Sequence, residues 1–474
     1  MLKNFVWSFF QQGAGQVINL IITIFLARLI TPNEFGLMAL TYVFYTIAER
    51  LMESGMGESF IRTKDAQPID FNTIFFTTFI LSIFFYIIIF IVSPYVASYY
   101  NQPLLTSIIR INSLSIIMLA LNITQTHHLW RELKLKETTI IFISSSLLGG
   151  SIGILAAYHN FGVWSLVIVN LSTGLIRLIL TLYYSIWQPS FMFSFEILKK
   201  HLNFGIKLTV TNLIDAFFKN IYVLIIGKKF DTKIVGHFNR AESTKNTLSI
   251  LTYVSVYKVM FPHFSKINHK QEYEIKILEL FNMVFYFVNY FIFFIILITL
   301  PLFNIVFSKV WQIAAGYFQI LCFTTIFYAI YSLNTDLLKI SGHAGVVLKS
   351  ELLRKSIELI AVLVALYFSI DLLLYVLIII SFLNFLINSY FVEKHLNISQ
   401  SKQVKNFVPI LFTGLVSYFF SKFILSKFIC NDIQYVLFAF IIFTISFILL
   451  SITLELKPYI LTVKVLKTIK SKHK

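Results

Sequence analysis

The sequence predicts an all-α integral membrane protein with about fourteen transmembrane helices. Hydrophobic residues make up 57% of the 474 positions and charged residues only 13%, whereas soluble proteins carry about a quarter charged residues. The 51 Phe residues exceed what one soluble core would hide, and the mean hydropathy is +0.79. Apolar runs of about 20 residues, the length of a membrane-spanning helix, recur along the chain, whereas barrel strands need only about ten residues in strict alternation.

Fourteen runs meet this length criterion. The first is too long for the core of a signal peptide and contains several amide side chains, so no removable leader is expected. The runs cover about residues 6–30, 36–56, 73–97, 104–126, 138–158, 162–187, 204–227, 244–262, 277–300, 312–338, 352–370, 371–392, 406–426 and 433–456.

The positions of Lys and Arg predict the orientation. If the N-terminus is cytoplasmic, 24 of the 39 Lys and Arg residues fall on predicted cytoplasmic segments, in line with the positive-inside rule. The tail 457–474 contains six lysines and no acidic residue, which suits the surface of an anionic leaflet. We therefore attribute the net charge of +17 to membrane orientation and expect no nucleic-acid partner.

A glycine turn recurs at an interval of 200 residues. The stretches LARLITPNEFGLMAL (26–40) and LIIGKKFDTKIVGHF (224–238) both leave an apolar run with a cation and re-enter apolar sequence at a glycine, Gly36 and Gly236. The interval covers six spans, so the two halves are expected to have the same orientation, as in transporters built from parallel repeats. Similar turn chemistry between unrelated spans is the alternative explanation.

Seven stretches occur in a fixed order along residues 1–400. They are LARLITPNEFGLMAL (26–40), ESGMGESFIRTKDAQPIDFNTIFF (53–76), LWRELKLKE (129–137), FGVWSLV (161–167), LIIGKKFDTKIVGHFNRAES (224–243), VMFPHFSKI (259–267) and LLKISGH (337–343). Each stretch alone is weakly specific. The ordered series resembles the polysaccharide transporter branch of the multidrug/oligosaccharidyl-lipid/polysaccharide flippase superfamily, the Wzx-type exporters of lipid-linked oligosaccharides.

This resemblance implies a MATE-like fold of two pseudo-symmetric six-helix lobes, an N-lobe at 1–200 and a C-lobe at 201–400. Two further helices would follow within 401–456, and a basic cytoplasmic tail within 457–474. The implied function is to flip undecaprenyl-diphosphate-linked oligosaccharide repeat units from the cytoplasmic to the outer leaflet by alternating access, for O-antigen, capsule or exopolysaccharide synthesis. The implied location is the bacterial inner membrane with both termini cytoplasmic, and the implied partners are the lipid-linked oligosaccharide, membrane lipids and polysaccharide polymerase machinery.

Four uncharged polar residues of the first span are candidates for the wall of a substrate cavity. They follow one another at steps of four, three and four, which places them on one helical face. The alternative is that they hold neighbouring helices together by hydrogen bonds. The four residues are Gln12, Gln16, Asn19 and Thr23.

Cations within the spans are candidate ligands for a diphosphate. A charge at the centre of a bilayer costs roughly 2.5–3.5 kcal/mol, so it usually faces a cavity or a partner. Lys219 and Lys258 are the leading candidates, and Arg28 is the next; snorkelling to the interface is the alternative. Asp215 lies four residues before Lys219 and is expected on the same face. The pair would be either a structural lock or a gate that opens when phosphate competes for the lysine.

Glu49 and Arg50 of the second span are candidates for coupling or gating. Glu49 and Glu53 lie one helical turn apart, so their repulsion favours proton binding unless Arg50 intervenes. Arg177 of the sixth span is interpreted as snorkelling or pairing between helices. His127 is interpreted as a solvated loop residue.

Two other functions fit parts of the pattern. A cation-coupled multidrug exporter of the same superfamily would favour an acidic or aromatic pocket, whereas the charges within the spans are mostly basic. A membrane O-antigen polymerase, ligase or glycosyltransferase would need a long external loop, and the longest outside stretch has about twenty residues. No nucleophile, base and orienting group are recognisable together, and the two cysteines support no metal site. We therefore predict that the chain is not an enzyme and uses no cofactor or metal.

Overall fold

The computed structural model is helical along most of the chain that it describes. It describes residues 2–472 apart from 54–55, 57–58, 61–62, 64–66, 186 and 265–269. The side chains of 2–6, 8–9, 12, 203–205, 207–208, 210–211, 215, 219, 250–264, 270–273, 344 and 465–472 also lie outside this description. The helices are α1 (Leu2–Leu29), α2 (Pro32–Glu53), α3 (Pro68–Tyr99), α4 (Leu104–Asn112), α5 (Leu114–Arg131), α6 (Leu135–Tyr158), α7 (Val163–Tyr184), α8 (Phe195–Lys229), α9 (Thr232–Phe264), α10 (Lys270–Val306), α11 (Gln312–Ile340), α12 (Ala344–Phe368), α13 (Ile370–Leu396), α14 (Gln400–Leu425), α15 (Asp432–Thr453) and α16 (Lys457–Lys472).

Each run predicted to cross the membrane coincides with a helix over most of its described residues, with α4 and α5 sharing the run at 104–126. Nine helical stretches of the described residues are long and apolar enough to span a bilayer. The chain is thus a multi-pass membrane protein, and the predicted all-α membrane class is confirmed. The number of fourteen crossings stays a prediction.

The described chain divides into two units, Met1–Asn239 and Arg240–Lys474. The boundary between them lies within α9, so α8 and the first turns of α9 belong to the first unit. The division into lobes at 1–200 and 201–400, two further helices at 401–456 and a tail at 457–474 stays a prediction. The two units are described separately below.

In the first unit, α6 packs between α1 and α7 by means of glycines. A Cβ atom on Gly149 would collide with Thr173 of α7, and a Cβ on Gly150 would collide with Ile22 of α1. Small residues that let helices approach closely are a common basis of helix association in bilayers. This close packing positions the two helices, α6 and α7, that form one wall of the cavity described below.

The equivalent turns at the beginnings of α2 and α9 touch each other. A Cβ atom on Gly36 would collide with the carbonyl oxygen of Thr232, and a Cβ on Gly236 would collide with the carbonyl oxygen of Pro32. The Thr232 hydroxyl donates a hydrogen bond to the side-chain oxygen of Asn33. The start of α2 is therefore fixed against the turn between α8 and α9.

In the second unit, α10 packs against α11, α14 and α15. The Asn289 amide donates to the carbonyl oxygen of Ile410 in α14 at 2.5 Å, and the Tyr286 hydroxyl donates to Ser451 Oγ in α15 at 3.0 Å. Helices α14 and α15 coincide with the two further helices predicted after residue 400. Hydrogen bonds from buried side chains of α10 thus attach both helices to it, one to a backbone carbonyl of α14 and one to a side chain of α15.

Candidate functional site

A cavity of about 400 Å³ lies within the first unit and is lined by six of its helices. This volume is in the range of small-molecule binding sites, about 300–1,000 Å³. Its lining is unusually polar for a bundle of apolar helices. The polar lining residues are Gln11, Arg50, Glu53, Asn122, Thr126, His127, Thr138, Arg177, Thr181 and Asn212.

Helix α2 brings a paired cation and anion to the cavity. Arg50 and Glu53 lie one turn apart, and Arg50 Nη1 donates to Glu53 Oε2 at 2.9 Å. The two side chains are 41% and 36% exposed. Pairing lowers the cost of holding either charge among apolar helices. The guanidinium group has five N–H donors, so this one bond leaves Arg50 able to bind a further acceptor.

Arg177 of α7 is the second cation in the cavity wall. Its Cζ atom lies 5.1 Å from the centre of the Phe142 ring, and its Nε donates to Ser145 Oγ at 3.4 Å. Glu49 and Tyr45 of α2 lie within electrostatic range of the guanidinium group. Among the described side chains, no carboxylate forms an ion pair with Arg177. Its planar donor groups are therefore suited to an anionic ligand.

Helix α5 supplies uncharged polar and aromatic groups to the same cavity. The Thr126 hydroxyl donates to Asn122 Oδ1 at 3.0 Å. The rings of His127 and Trp130 lie 5.3 Å apart, and Trp130 is 41% exposed. Amide, hydroxyl and imidazole groups of this kind can both donate and accept hydrogen bonds, so this wall suits a ligand rich in hydroxyl groups.

Helices α1, α6 and α8 complete the wall. Gln11 of α1 accepts a hydrogen bond of 3.5 Å from Thr139 of α6, whose neighbour Thr138 lines the cavity, and Asn212 of α8 lines it too. Among the described residues, no group of three or more His, Cys, Asp or Glu side chains could hold a metal ion. The site therefore combines cations from α2 and α7 with neutral polar groups from the other helices.

A protein-family model described as "Polysaccharide biosynthesis protein" matches residues 25–316, more than half of the chain. The chain belongs to this family. The lipopolysaccharide biosynthesis protein WzxC of Escherichia coli K12 is 22% identical over 249 residues, which cover 52% of this chain and 51% of WzxC. The teichuronic acid biosynthesis protein TuaB of Bacillus subtilis 168 is 21% identical over 262 residues, or 55% of this chain and 54% of TuaB. The succinoglycan biosynthesis transport protein ExoT of Rhizobium meliloti 1021 is 20% identical over 270 residues, or 57% of this chain and 55% of ExoT.

The chain thus spans about half the length of the curated relatives that it matches. Solved structures extend the likeness of fold along nearly all of it. The lipid II flippase MurJ in an inward closed conformation has a TM-score of 0.75 at 13% identity, covering 95% of this chain and 98% of MurJ. An inward-facing multidrug transporter of the MATE family has a TM-score of 0.59 at 14% identity, covering 81% of this chain and 96% of that transporter.

These comparisons confirm the resemblance and the MATE-like fold predicted from the ordered motifs. ExoT is named as a transport protein and MurJ as a flippase. These names agree with the prediction that the chain is not an enzyme.

In this member of the family, two of the predicted coupling residues lie at or beside the cavity. Arg50 lines the cavity. Glu49 is half-buried and lies within electrostatic range of Glu53, Arg50 and Arg177. The structure therefore brings together charges from α2 and α7 that are separated by more than a hundred residues in the sequence.

The predicted polar face of α1 contributes less to the cavity lining than the predicted coupling residues of α2 do. The cavity is lined on this helix by Gln11 and not by Gln16, Asn19 or Thr23. Gln16 and Thr23 are half-buried and Asn19 is exposed. Arg28 is exposed in the last turn of α1. The roles assigned to these residues stay predictions.

Four other predicted site residues have side chains outside the described part of the chain. Lys219 and Asp215 lie on α8, and Lys258 lies on α9. Gln12 lies on α1. Their assignment as diphosphate ligands, gate and cavity wall also stays a prediction.

The α5 and α7 residues of the cavity are not among the site residues predicted from the sequence. The sequence predicts a snorkelling or pairing role for Arg177 and a loop position for His127, whereas both residues line the cavity. A periodic signal was available on α5, because Asn122, Thr126 and Trp130 recur at every fourth position and therefore share one face.

Proposed function

We propose that this protein flips undecaprenyl-diphosphate-linked oligosaccharide repeat units from the cytoplasmic to the outer leaflet of the bacterial inner membrane. The glycan would serve O-antigen, capsule or exopolysaccharide synthesis. The observation that carries the proposal is the cavity, which Arg50 and Arg177 line together. Three of the helices that line it, α5 (taken with α4), α6 and α7, are apolar enough to span a bilayer. The names of the relatives support it, because WzxC, TuaB and ExoT are named for the biosynthesis of three surface or secreted glycans.

The diphosphate is the part of such a substrate that most opposes crossing a bilayer. Arginine binds phosphate oxygens with two parallel N–H donors, and such charge-assisted bonds are roughly twice as strong as neutral ones. Arg177 has donors available for this, and Arg50 can exchange Glu53 for a phosphate oxygen. Lys219, Lys258 and Arg28 are proposed as further diphosphate ligands, and Asp215, Glu49 and Arg50 as residues of coupling or gating.

The sugar residues of the substrate need hydrogen bonds in place of those they make with water. Asn122, Thr126 and His127 line the cavity and offer both donors and acceptors. The lipid tail has no such need, since it stays in hydrocarbon. Apolar side chains on the surface of α3, such as Ile80 (60% exposed) and Phe84 (55% exposed), keep the outside of the bundle compatible with acyl chains.

The same charges weigh against a cation-coupled exporter of cationic drugs. Arg177 would repel a cationic ligand in the cavity, and Glu53 is already paired with Arg50. A cycle in which the cavity opens to one leaflet at a time, with both termini cytoplasmic, is part of the proposal. Polysaccharide polymerase machinery is proposed as the partner that receives the flipped unit.

The decisive experiment uses two matched arginine variants. Arg110 resembles Arg177 locally, since its Cζ atom lies 4.0 Å from the Phe90 ring centre and its Nε donates to Ser93 Oγ at 3.0 Å. It lies outside the cavity lining. In a strain that lacks the native copy, Arg177→Ala is expected to lower surface glycan at least about tenfold and to accumulate lipid-linked repeat units, because two charge-assisted bonds are worth about 1.5–3 kcal/mol or more.

The control variant Arg110→Ala, expressed at the same level in the membrane, is expected to export glycan normally. If Arg177→Ala and the double variant Arg50→Ala/Arg177→Ala both export as much glycan as the unmodified protein, the proposed role of the cavity is wrong. Equal losses in Arg177→Ala and Arg110→Ala would indicate that a half-buried arginine is needed for folding, and would likewise remove the support that the cavity gives.

A further inference from the structure

Three buried polar residues form a hydrogen-bonded chain where α8 begins. Ser59 Oγ lies 2.9 Å from His201 Nδ1, and His201 Nε2 lies 3.1 Å from Asp70 Oδ1. The other oxygen of Asp70 accepts the backbone N–H of Gln67 at 2.8 Å. Ser59, His201 and Asp70 are 8%, 0% and 6% exposed. We refer to these three residues as the His201 relay.

The relay residues adjoin an apolar cluster in the sequence, since Phe60 follows Ser59 and Phe71 follows Asp70, and both belong to this cluster. Leu198 and Leu202, on either side of His201 in α8, pack against the same cluster. A polar group buried without a hydrogen-bond partner costs about 1–3 kcal/mol. The relay therefore holds one arrangement, in which the connection between α2 and α3 is joined to the first turns of α8.

The order of the hydrogen bonds separates the relay from a hydrolase triad of the same residue types. In that triad the serine is bound to Nε2 of the histidine and the aspartate to Nδ1. Here Ser59 is bound to Nδ1 and Asp70 to Nε2, and the serine hydroxyl is buried. The pattern fits a histidine that accepts a hydrogen bond from Ser59 and donates one to Asp70. Such an arrangement joins the segment between α2 and α3 to α8.

Helix α8 is also fixed at its other end. Lys228 Nζ donates to the carbonyl oxygen of Tyr99 at 2.7 Å and lies 4.0 Å from the centre of the Tyr99 ring. Between the two attachments lies Asn212, which lines the cavity. It follows His201 by eleven residues, which is about 16 Å along an α-helix.

We propose that His201 is a positioning residue for transport: the relay fixes the first turns of α8 and so sets the place of the α8 segment in the cavity wall. This inference rests on the proposed function of the cavity. Loss of the relay frees the beginning of α8 while the attachment at Lys228 remains. The helix then swings about its far end, and the cavity wall at Asn212 is displaced.

The test measures the position of α8 directly, without substrate. Spin labels are attached to cysteines at Lys200 and Lys136, two exposed positions, in a background in which Cys322 and Cys430 are replaced by alanine. In liposomes, the full chain is expected to give one narrow distance distribution by pulsed electron paramagnetic resonance. His201→Ala is expected to broaden the distribution and shift it by several ångströms, and to lower glycan export about tenfold.

His201→Gln can donate and accept through its side-chain amide, so it is expected to restore the narrow distribution and export within about threefold of the unmodified protein. Ser59→Ala removes one hydroxyl without adding volume and is expected to broaden the distribution partly; it serves as the test if His201→Ala does not fold. Lys199→Ala, on the exposed side of the same turn, is the matched control and is expected to change neither measurement.

An unchanged distance distribution in both His201→Ala and Ser59→Ala would overturn the relay as a positioning device, whatever happens to export. Normal export with a broadened distribution would equally overturn it. The proposed function fails by a different result, normal export in Arg177→Ala, so the two proposals are separable.

Discussion

Gly36 and Gly236 make a reciprocal contact through their backbones. A Cβ atom built on either glycine would lie 3.1 Å from the backbone nitrogen of the other. Each would also collide with a carbonyl oxygen at the beginning of the partner helix, Thr232 for Gly36 and Pro32 for Gly236. Such a self-complementary contact is what two equivalent turns related by a two-fold axis produce. The interval of 200 residues seen in the sequence is thus matched by a direct contact in the first unit.

Substitution of Gly36 by alanine is expected to destabilise the protein. The added Cβ atom must displace a backbone carbonyl group, which cannot rotate away as the end of a side chain can, and overpacking of this kind costs about 1–3 kcal/mol. Gly236→Ala is expected to cost a similar amount, and the double variant less than the sum, because both atoms push apart the same two turns. Thermal unfolding of purified protein in detergent would measure these differences.

Gly316→Ala is the control for the glycine variants. A Cβ atom on this α11 residue would meet nothing within 4 Å, and replacing glycine by alanine within a helix usually gains about 0.5–1 kcal/mol. A melting temperature of Gly36→Ala equal to or above that of Gly316→Ala would contradict a close contact between the two turns.

The helices could be predicted from the sequence because they depend on local composition. Each predicted span is a long apolar run, and such a run in a bilayer has no better way to pair its backbone groups than as a helix. The glycine turns could also be recognised, since Gly36 and Gly236 occur in similar surroundings. The contact between them could not, because it depends on how α2 and α9 are brought together.

The cavity is harder to predict than the helices. The sequence around a charged residue in a span does not distinguish a side chain that faces a cavity from one that faces a partner or the membrane interface. Arg50 was selected because it stands next to Glu49 and one turn before Glu53 in the sequence. Arg177 stands alone among apolar residues, so only packing of α7 against α6 and near α2 reveals its place. The His201 relay joins residues more than a hundred positions apart, and no periodicity connects them.

The turn after α5 is expected to contribute to stability in a pH-dependent way. A hydrogen bond from Lys134, and the nearby charge of His128, lower the pKa of the Glu132 carboxyl from its usual value. A lowered folded-state pKa adds stability above the unfolded value, about 4.3, and this stability is lost as the pH falls through the folded value. Glu132→Gln is therefore expected to melt slightly below the unmodified protein at pH 7, and this difference is expected to shrink as the pH falls below about 4.3.

The effect at Glu132 is expected to be small, because its side chain is 38% exposed and water screens the ion pair. Glu137→Gln, in the first turn of α6, is the control for loss of a negative charge in the same region. A melting difference between Glu132→Gln and the unmodified protein that grows as the pH falls would contradict the assignment.

Glu53 is expected to compete with an anionic ligand for Arg50. Its carboxylate occupies one donor of the guanidinium group at 2.9 Å, so Glu53→Gln should leave Arg50 more available to phosphate oxygens. A partly exposed ion pair is worth up to about 1 kcal/mol, which corresponds to about a three- to fivefold gain in affinity. Calorimetric titration with farnesyl diphosphate in detergent would measure it, and the gain should shrink at high salt because the pair is partly exposed.

Two variants separate this competition from a general effect of charge. Glu196→Gln removes an exposed acid of the same unit outside the cavity lining and is expected to leave the affinity nearly unchanged. In the background of Arg50→Ala, Glu53→Gln is expected to give no comparable gain, because the group that it releases is absent. If Glu53→Gln binds farnesyl diphosphate no better than Glu196→Gln does, or gains as much without Arg50, then the proposed role of Arg50 as a phosphate ligand is wrong.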